Sequence, residues 1–431
     1  MEKAVRATCP SSVAIIGGGI VGLFTALELL DKGYHVSLIE ADSPGGRQAA
    51  SYGNGTWVNE GAIIPISLPG MWRAVPGFLL DPIGPFVLQW KHLPSLLPWL
   101  IRFLAAGRSW SRVERDIPAR VALLTGAVSR YDARASEAGI SQLMGARGVM
   151  YVYRSHADLE ADRPAWDLRS KYGIEHEVRE GESLRSLVPD LSPEYILGIR
   201  ILPAVSLRDP GKFCAGLAKL FEDRGGRVFK ALATGFDLNG GKLRGVQTSQ
   251  GAIACDYAVI AAGIGSGKLA RMVGDRVPLI SERGYHIEVL DCPLRLQTSL
   301  MPADGKMAVS STLTGLRLAG QVELAKPTTP PDWRRAWIQL AHARRMFPQL
   351  ADLIDTGPHD LWMGHRPSTP DSLPVIGRSN NCSEIIHAFG HGHTGMVMAP
   401  GTASLVSDLV AGSTPKLDPK PYSPQRFGIA G

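Results

Sequence analysis

The chain has few of the patterns that bind metals, cross-link domains or repeat a structural unit. Its cysteines form no C-x-x-C pair and are far apart in the sequence. They are Cys9, Cys214, Cys255, Cys292 and Cys382. This spacing indicates scattered reduced thiols, as in a cytosolic protein, rather than a disulfide framework or a zinc site. No metal site is predicted, and there is no internal repeat and no low-complexity tract.

Charge of one sign is not concentrated anywhere in the chain. There are 46 lysines and arginines against 40 aspartates and glutamates, a net charge of +6, and no long basic run. The surplus favours anionic small substrates and gives no argument for nucleic acid as a partner. With 45% apolar residues among 431, the chain is long enough for two domains or one large composite domain.

Long hydrophobic runs are also missing. No signal peptide is visible, because the first apolar stretch is a short strand pattern, so a cytoplasmic location is expected. The most lipid-like segment, Leu93–Ala106, is too short to span a bilayer and contains two prolines and Arg102. Two interpretations stay open. The segment is a buried or lid helix, or it is a peripheral contact with the inner face of the membrane, anchored by Trp90, Trp99 and Phe103.

The most informative motif opens the chain. An apolar run at 12–16 is followed by the turn GGGIVG at 17–22, a helical pattern, and a second strand pattern that ends at Glu40. In such a unit Gly17 makes a tight turn, Gly19 lets the backbone approach a pyrophosphate, and Gly22 packs the helix on the strand. Glu40 stands 18 residues after Gly22, where a carboxylate suits the ribose hydroxyls. The unit predicts a dinucleotide site at the helix N-terminus.

Hydrophobic periodicity predicts that the sheet of this unit is completed by later parts of the chain. The predicted elements are a helix within 207–226, strands at 227–236, 243–248 and 257–263, strands at 280–290 and 307–323, a helix at 331–347, a strand at 384–389 and a closing helix to about 410. The strand at 257–263 ends in a glycine turn and is expected to return to the first sheet. The strands at 280–290 and 307–323 alternate as in an antiparallel sheet.

Several of these segments carry motifs of one known family. They are GGGIVG at 17–22, ASYGNG at 50–55, RDP at 208–210, AAG at 261–263, RGYH at 283–286, HRPSTPD at 365–371, LPVIG at 373–377 and GHGHTGM at 390–396. With these motifs in order over nearly its whole length, the chain resembles the D-amino-acid dehydrogenase branch of the FAD-dependent D-amino-acid oxidase superfamily. The first motif occurs in many flavin and NAD proteins, whereas the last three together are specific to this superfamily.

The resemblance implies an α/β fold, α+β overall, with two domains that are both discontinuous in sequence. The Rossmann-type FAD-binding domain is expected at residues 11–90, 190–280 and 360–431. The substrate-binding domain is expected at 91–189 and 281–359, with a mixed or antiparallel sheet that covers the isoalloxazine ring.

The resemblance also implies the site residues. The expected FAD contacts are Gly17, Gly19, Ile20, Val21, Gly22, Glu40, Ser51, Gly53, Asn54, Gly55, Ala233, Ala262, Gly263, Gly390, His391, Gly392, His393, Thr394 and Gly395. Arg366 is expected to hold the substrate carboxylate with its planar guanidinium, with Tyr285 donating to the same carboxylate and His286 lining the pocket. His393 is a candidate catalytic residue.

Simpler roles for the same residues stay open. Arg366 would suit a surface ion pair and Tyr285 a core aromatic position. Ser51 would suit a plain turn, and the histidines at 391 and 393 would suit packing at the cofactor edge. The matched motifs contain no evident carboxylate base.

The activity implied by the resemblance is FAD-dependent oxidative deamination of a D-amino acid or a cyclic imino acid of the D-proline or hydroxy-D-proline type. Hydride passes to flavin N5, and the electrons continue to a non-oxygen acceptor such as a quinone or an electron-transfer protein. The alternatives are an opine or secondary-amine (sarcosine-like) dehydrogenase or oxidase, and a flavoprotein subunit of a larger electron-transfer complex. FAD is expected to be non-covalent, because the chain lacks the cysteine and the histidine with which related branches attach it.

Overall fold

The computed structural model describes residues 11–75, 86–88 and 90–428, without the side chains of Ala74 and Trp90. The helices are α1 Ile20–Asp31, α2 Leu93–Ala106, α3 Trp110–Leu124, α4 Ala127–Glu137, α5 His156–Lys171, α6 Gly181–Leu187, α7 Pro210–Asp223, α8 Ser266–Met272, α9 Arg334–Met346, α10 Ala351–Thr356 and α11 Gly395–Ala411. The strands are β1 Ser12–Ile16, β2 His35–Glu40, β3 Trp57–Asn59, β4 Phe86–Leu88, β5 Met144–Tyr153, β6 His176–Glu180, β7 Leu197–Leu207, β8 Arg227–Lys230, β9 Ala233–Asn239, β10 Lys242–Thr248, β11 Gly251–Ala254, β12 Tyr257–Ile260, β13 Ile280–Leu290, β14 Ser299–Pro302, β15 Ala308–Ser311, β16 Gly315–Leu324, β17 His359–Ser368, β18 Val375–Arg378 and β19 Ile385–Phe389.

A six-stranded sheet contains the opening βαβ unit. Its strand order is β18-β19-β12-β1-β2-β8, with β18 antiparallel to β19 and the other neighbours parallel. The side chains of β1 and β12 are almost all buried, since helices or the small sheet cover both faces, and their sequences are accordingly continuous apolar runs. The structure thus confirms that the strand predicted at 257–263 returns to the first sheet, where β12 pairs with β1.

A ten-stranded sheet forms the second layer of the molecule. Its main path is β17-β13-β16-β15-β14-β5-β7-β3, with β4 beside β16 and β6 beside β7. The long central pairs are antiparallel, while β14 with β5 and β16 with β4 are parallel, so the sheet is mixed. The strands β9, β10 and β11 form a separate antiparallel sheet.

The expected domain boundaries stay a prediction, but several strands and helices pack with elements of the other expected domain. The strands β3, β4, β7 and β17 join the ten-stranded sheet, although their residues fall in the segments expected for FAD binding. The helices α3 and α4 pack on α11 and share the core of α1, although they fall in the segments expected for the substrate. Two predicted strands are each divided, 227–236 into β8 and β9 and 307–323 into β15 and β16. Apolar alternation marks a buried strand face but does not say which sheet covers it.

The lipid-like segment forms helix α2 with its large rings turned inward. Trp99 and Phe103 are only 6% and 4% exposed, and their rings stack with centroids 4.9 Å apart. Two expected interfacial anchors therefore lie in the interior, and the side chain of Trp90 lies outside the described residues. The outer face of α2 carries the exposed Leu97 and Ile101. No described helix is long and apolar enough to cross a membrane.

Candidate active site

A cavity of about 1010 Å³ extends from the loops after β1, β2 and β12 to the inner face of the ten-stranded sheet. Most of the predicted site residues lie along it. The predicted residues that line it, among others, are Gly17, Gly19, Ile20, Val21, Glu40, Ser51, Gly53, Asn54, Gly55, Ala233, Ala262, Gly263, Gly390, His391, Gly392, His393, Thr394, Gly395 and Arg366. Gly22, Tyr285 and His286 are not among the lining residues.

The glycine turn has two kinds of glycine. Gly17 has φ of 113°, and a Cβ there would collide with Ala261, just after β12. A Cβ on Gly22 would collide with the carbonyl oxygen of Gly17, so both positions require glycine. Gly19 is different. The nearest atom to a Cβ placed there would be Ser51 Oγ at 3.5 Å, so the space beside Gly19 belongs to the cavity. A pyrophosphate that follows the backbone at the start of α1 fits this space.

Two side chains complete the dinucleotide end of the cavity. Ser51 Oγ accepts from the backbone N–H of Ile20 at 3.0 Å, so it caps the first turn of α1. Glu40 Oε2 accepts from the backbone N–H of Gly18 at 2.6 Å, which holds the carboxylate at the cavity wall. Leu232 and Met272 are 58% and 44% exposed where they line the cavity, and exposed apolar side chains of this kind suit an adenine ring.

The loop 53–55 is held against the ten-stranded sheet. The indole of Trp362 packs so closely on Gly53 that a Cβ there would collide with it. His286 Nδ1 donates to the carbonyl oxygen of Gly53 at 3.2 Å, and Arg317 donates to the carbonyl oxygens of Tyr52 and Asn54 at 3.0 and 3.4 Å. The sheet thus fixes a loop whose backbone amides and small side chains face the cavity.

The turn before α11 also lines the cavity, beside the end of β17, where Ser368 and His391 form an isolated bridge. His391 Nε2 is hydrogen-bonded to Thr402 Oγ1 at 2.9 Å, and burial lowers the pKa of His391 to about 3. His391 is therefore neutral at physiological pH and contributes packing and hydrogen bonding. A helix N-terminus at this wall can stabilise negative charge on a reduced flavin.

Arg366 lies on β17 and reaches across β13 towards β16. Its guanidinium donates to the carbonyl oxygens of Gln321 at 3.0 Å and of Arg283 and Gly320 at 3.4 Å. Burial lowers the pKa of Arg366, and the charge of Glu282 opposes that shift. Among the described residues no carboxylate lies within ion-pair distance of this guanidinium. A cavity-lining arginine with carbonyl partners alone is ready to bind an anion.

The backbone around Arg366 is shaped to receive the guanidinium. A Cβ on Gly284 would collide with it, so the glycine of the RGYH motif lets the arginine cross β13. The pairing of β13 with β16 shifts register between Arg283 and Tyr285, and Gln321 opposite that shift has φ of 60°. A left-handed non-glycine residue inside a strand is strained, and such strain concentrates at functional sites. The bulge presents the carbonyl oxygen of Gln321 to Arg366.

Glu282 is a site residue that the sequence reasoning missed. It lines the cavity, is 3% exposed, and accepts from Ser368 Oγ at 2.5 Å and from His393 Nε2. Burial by itself would raise the pKa of its carboxyl group, but His393, Arg366 and Ser368 outweigh burial and lower the pKa to about 2. The sequence signal for Glu282 was its position directly before RGYH, two residues from Gly284 and therefore on the same face of the strand.

Tyr285 and His286 occupy other environments than those expected. The phenol of Tyr285 donates to Glu323 Oε2 at 2.6 Å, on the side of the sheet covered by α9, and burial raises its pKa to about 12. Tyr285 thus has the core aromatic role that was the alternative. His286 is on the cavity side of β13 but is covered by Gly53 and stacks on Trp362 with ring centroids 5.3 Å apart.

Beyond Arg366 the cavity has an apolar arm and a cationic arm. The apolar arm lies under α2 and is lined by Ile66, Met71, Phe86, Trp99, Phe103 and Val322. The cationic arm contains Arg169, which is 6% exposed and whose guanidinium lies over the rings of Tyr151 and Trp166 at 5.1 and 4.5 Å. Arg169 donates to the carbonyl oxygens of Gly61 and Ala165, and no carboxylate pairs with it in the described part of the chain.

The described histidine, cysteine and acidic side chains are those that a metal site or a disulfide would require. No group of histidine, cysteine, aspartate and glutamate side chains there could hold a metal ion. Cys214, Cys255, Cys292 and Cys382 are free and buried, and Cys9 lies outside the described residues.

Comparison with known proteins decides what the cavity holds. A family model described as FAD-dependent oxidoreductase (DAO) matches residues 12–409. The chain belongs to this family of FAD-dependent oxidoreductases. The oxidoreductase is 43% identical to a D-amino-acid oxidase of Bradyrhizobium diazoefficiens, over 96% of its own chain and 98% of the relative. It is 30% identical to D-amino acid dehydrogenase 2 of Ralstonia nicotianae, over 95% of its own chain and 99% of the relative.

Solved structures agree with the fold of the oxidoreductase. L-proline dehydrogenase from P. horikoshii matches with a TM-score of 0.74 at 19% identity, covering 97% of this chain and 98% of that one. Glycine oxidase from Geobacillus kaustophilus matches with a TM-score of 0.71 at 19% identity, covering 97% and 99%. FAD is accordingly the cofactor of the oxidoreductase, and the open space at Gly19 and the position of Glu40 fit its pyrophosphate and ribose.

Proposed function

We propose that the protein catalyses oxidative deamination of a D-amino acid or a cyclic imino acid of the D-proline or hydroxy-D-proline type. The D-amino-acid oxidase and dehydrogenase relatives support the substrate class. One structural observation carries the proposal. The Arg366 guanidinium faces the cavity with carbonyl oxygens as its protein partners. A substrate carboxylate supplies the anion that this half-buried charge lacks.

Different residues of the cavity orient different parts of the substrate. Bound FAD supplies the two-electron oxidant that accepts a hydride from the substrate α-carbon. Arg366 holds both carboxylate oxygens and so fixes the rotation of the α-carbon. The rings of Trp99 and Phe103 exclude water from the apolar arm, which receives an aliphatic or aromatic side chain. Trp99 Nε1 donates to the carbonyl oxygen of Ser368 at 3.3 Å, so the arm is fixed relative to the polar part of the site.

We propose further that FAD is bound without a covalent tether and that the electrons leave to a quinone or an electron-transfer protein. The names of the dehydrogenase relatives support a non-oxygen acceptor, whereas the relative at 43% identity is named an oxidase. The choice between these acceptors has a direct readout, because an oxidase forms hydrogen peroxide in proportion to the imino acid it produces.

A second candidate substrate class follows from the cationic arm. Arg169 is buried at the cavity wall and, like the half-buried Arg366, has no carboxylate partner among the described residues. An N-carboxyalkyl amino acid of the opine type would supply a second anion for it. One variant distinguishes the two candidate substrate classes. Arg169→Gln should weaken the binding of an opine-type substrate far more than the binding of D-proline or D-alanine.

An anaerobic bleaching screen tests the proposal. The holoenzyme is mixed with D- and L-amino acids, D- and L-proline, N-methyl amino acids and opine-type compounds, and the loss of flavin absorbance is followed. We expect D-amino acids or D-proline to reduce the flavin fastest. The reduced enzyme is then exposed to oxygen or to a quinone-like dye. Bleaching by hydroxy acids alone would contradict the proposed reaction, and peroxide in stoichiometric yield would contradict the proposed acceptor.

A further inference from the structure

A buried carboxylate and a half-buried guanidinium stand side by side on the cavity wall without forming a direct ion pair. Glu282 on β13 and Arg366 on β17 are partners in the antiparallel register of these strands, and both line the cavity. Within the described residues the two are not an ion pair, and the ion-pair partner of Glu282 is His393. Opposite charges that are largely removed from water and stay apart cost desolvation energy unless a third group joins them.

The carboxylate of Glu282 has unused hydrogen-bond acceptor positions. Its described partners are His393 and Ser368, whereas a carboxylate has about four acceptor positions on its two oxygens. Glu288, six residues further along the same strand, shows the purely structural alternative. It is 2% exposed, pairs with Arg317 at 2.8 Å, accepts from two threonines, and does not line the cavity.

We propose that Glu282 binds the ammonium group of the substrate, so that Glu282 and Arg366 together recognise a zwitterion. The inference rests on the proposed function, because it needs an amino acid whose carboxylate is on Arg366. It names the substrate class more narrowly. Primary and secondary α-amino acids carry the required positive nitrogen, whereas the corresponding hydroxy acids and simple carboxylic acids do not. His393 and Ser368 then act as positioning residues that hold the two oxygens of Glu282.

The same contact has a consequence for pH. A carboxylate beside the ammonium group raises the pKa of the bound amine, whereas Arg366 opposes that shift. The groups that face Glu282 are His393 from the turn before α11, Arg366 and Ser368 from β17 with His365 as their neighbour, and Trp99 of α2 behind Ser368. Hydride loss needs the neutral amine, so the ammonium proton must first leave to solvent. The rate of flavin reduction should therefore rise towards alkaline pH.

The test compares the Glu282→Gln holoenzyme with the wild type. Glutamine keeps the shape and one acceptor oxygen but removes the charge. Stopped-flow flavin reduction at saturating D-proline and D-alanine is measured across neutral and alkaline pH. Dissociation constants are measured for cyclopentanecarboxylate and propionate, which lack the nitrogen. In the variant we expect the apparent pKa of the reduction rate to fall by about one to three units. We expect the amino acids to bind at least about tenfold more weakly and the two carboxylates no more weakly than before.

Glu288→Gln is the matched control, since it removes a buried charge from the same strand outside the cavity. In this control we expect the apparent pKa and the ratio of amino-acid to carboxylate affinity to stay at the wild-type values. FAD content and melting temperature are recorded for every variant. An unshifted pH profile in Glu282→Gln, or equal weakening of amino acids and carboxylates, would overturn the role of Glu282 while leaving the proposed function intact. If no amino acid reduces the wild-type flavin, the proposed function and this inference both fail.

Discussion

Replacing Arg366 with lysine separates the contribution of the guanidinium fork from that of its charge. In the structure the guanidinium is held by carbonyl oxygens at 3.0 and 3.4 Å and faces the cavity with its remaining donors. A lysine has a single nitrogen, which cannot bond these carbonyls and both substrate oxygens at once. Loss of such a charged contact costs about 2–5 kcal/mol in the transition state. At about 1.36 kcal/mol per factor of ten, kcat/KM should fall about 30-fold to several thousand-fold.

The assay is anaerobic flavin reduction with the best substrate of the bleaching screen, together with steady-state kcat/KM. FAD content should be unchanged, because the described bonds of Arg366 are to the ten-stranded sheet. Arg283→Lys is the matched control. Arg283 is adjacent in the sheet and fully buried, but it donates to the carbonyl oxygens of Lys326 and Pro330 away from the cavity. Unchanged kcat/KM in Arg366→Lys, or an equal loss in both variants, would refute the assignment of the carboxylate to Arg366.

Three further predictions concern the cofactor and the stability of the protein. Acid or heat should release intact FAD and leave a colourless chain, and yellow colour retained by the washed precipitate would contradict non-covalent binding. Gly19→Ala should leave the melting temperature of the apoprotein unchanged and weaken FAD binding, because its Cβ would face the cavity. Gly22→Ala should lower the free energy of unfolding by about 1–3 kcal/mol, because its Cβ would collide with Gly17; equal melting temperatures in the two variants would contradict this division. The pKa of His391 is about 3 in the folded protein against 6.5 for an ordinary histidine, so unfolding takes up a proton there and stability should fall as pH drops from 6.5 towards 3. His391→Gln should reduce that slope in urea titrations at a series of pH values, and an unchanged slope would contradict the buried neutral state.

Local chemistry made the opening βαβ unit and its family motifs predictable. The strand β1, the glycine turn and α1 follow each other without interruption, so each prediction depended on residues a few positions apart. The same holds for α7, whose start at Pro210 follows the cap Asp209. Family motifs located Arg366 and the turn at 390–395, and the structure places these on the cavity.

Assignment of later strands to one sheet or the other needed the tertiary structure. The strands β3 and β7 are about as rich in apolar residues as the strands of the six-stranded sheet, yet they pair in the ten-stranded one. Their partners are distant in sequence, as in the pairing of Trp57 with Ser206. Long-range pairing of this kind depends on which strand edges meet when the layers pack. The apolar periodicity within one strand does not predict its pairing partner.

The face of β13 shows most clearly where sequence and tertiary structure divide. The sequence by itself determined that the chain has a dinucleotide site, that it resembles a flavoenzyme family, and that residues 280–290 form a strand. The alternation of polar and apolar residues does not reveal that Glu282 faces the cavity and that Tyr285 faces the core under α9. Both faces of β13 are buried, and polar residues occur on each. Only the packing of β17, α9 and the turn before α11 around this strand decided which of its side chains line the cavity.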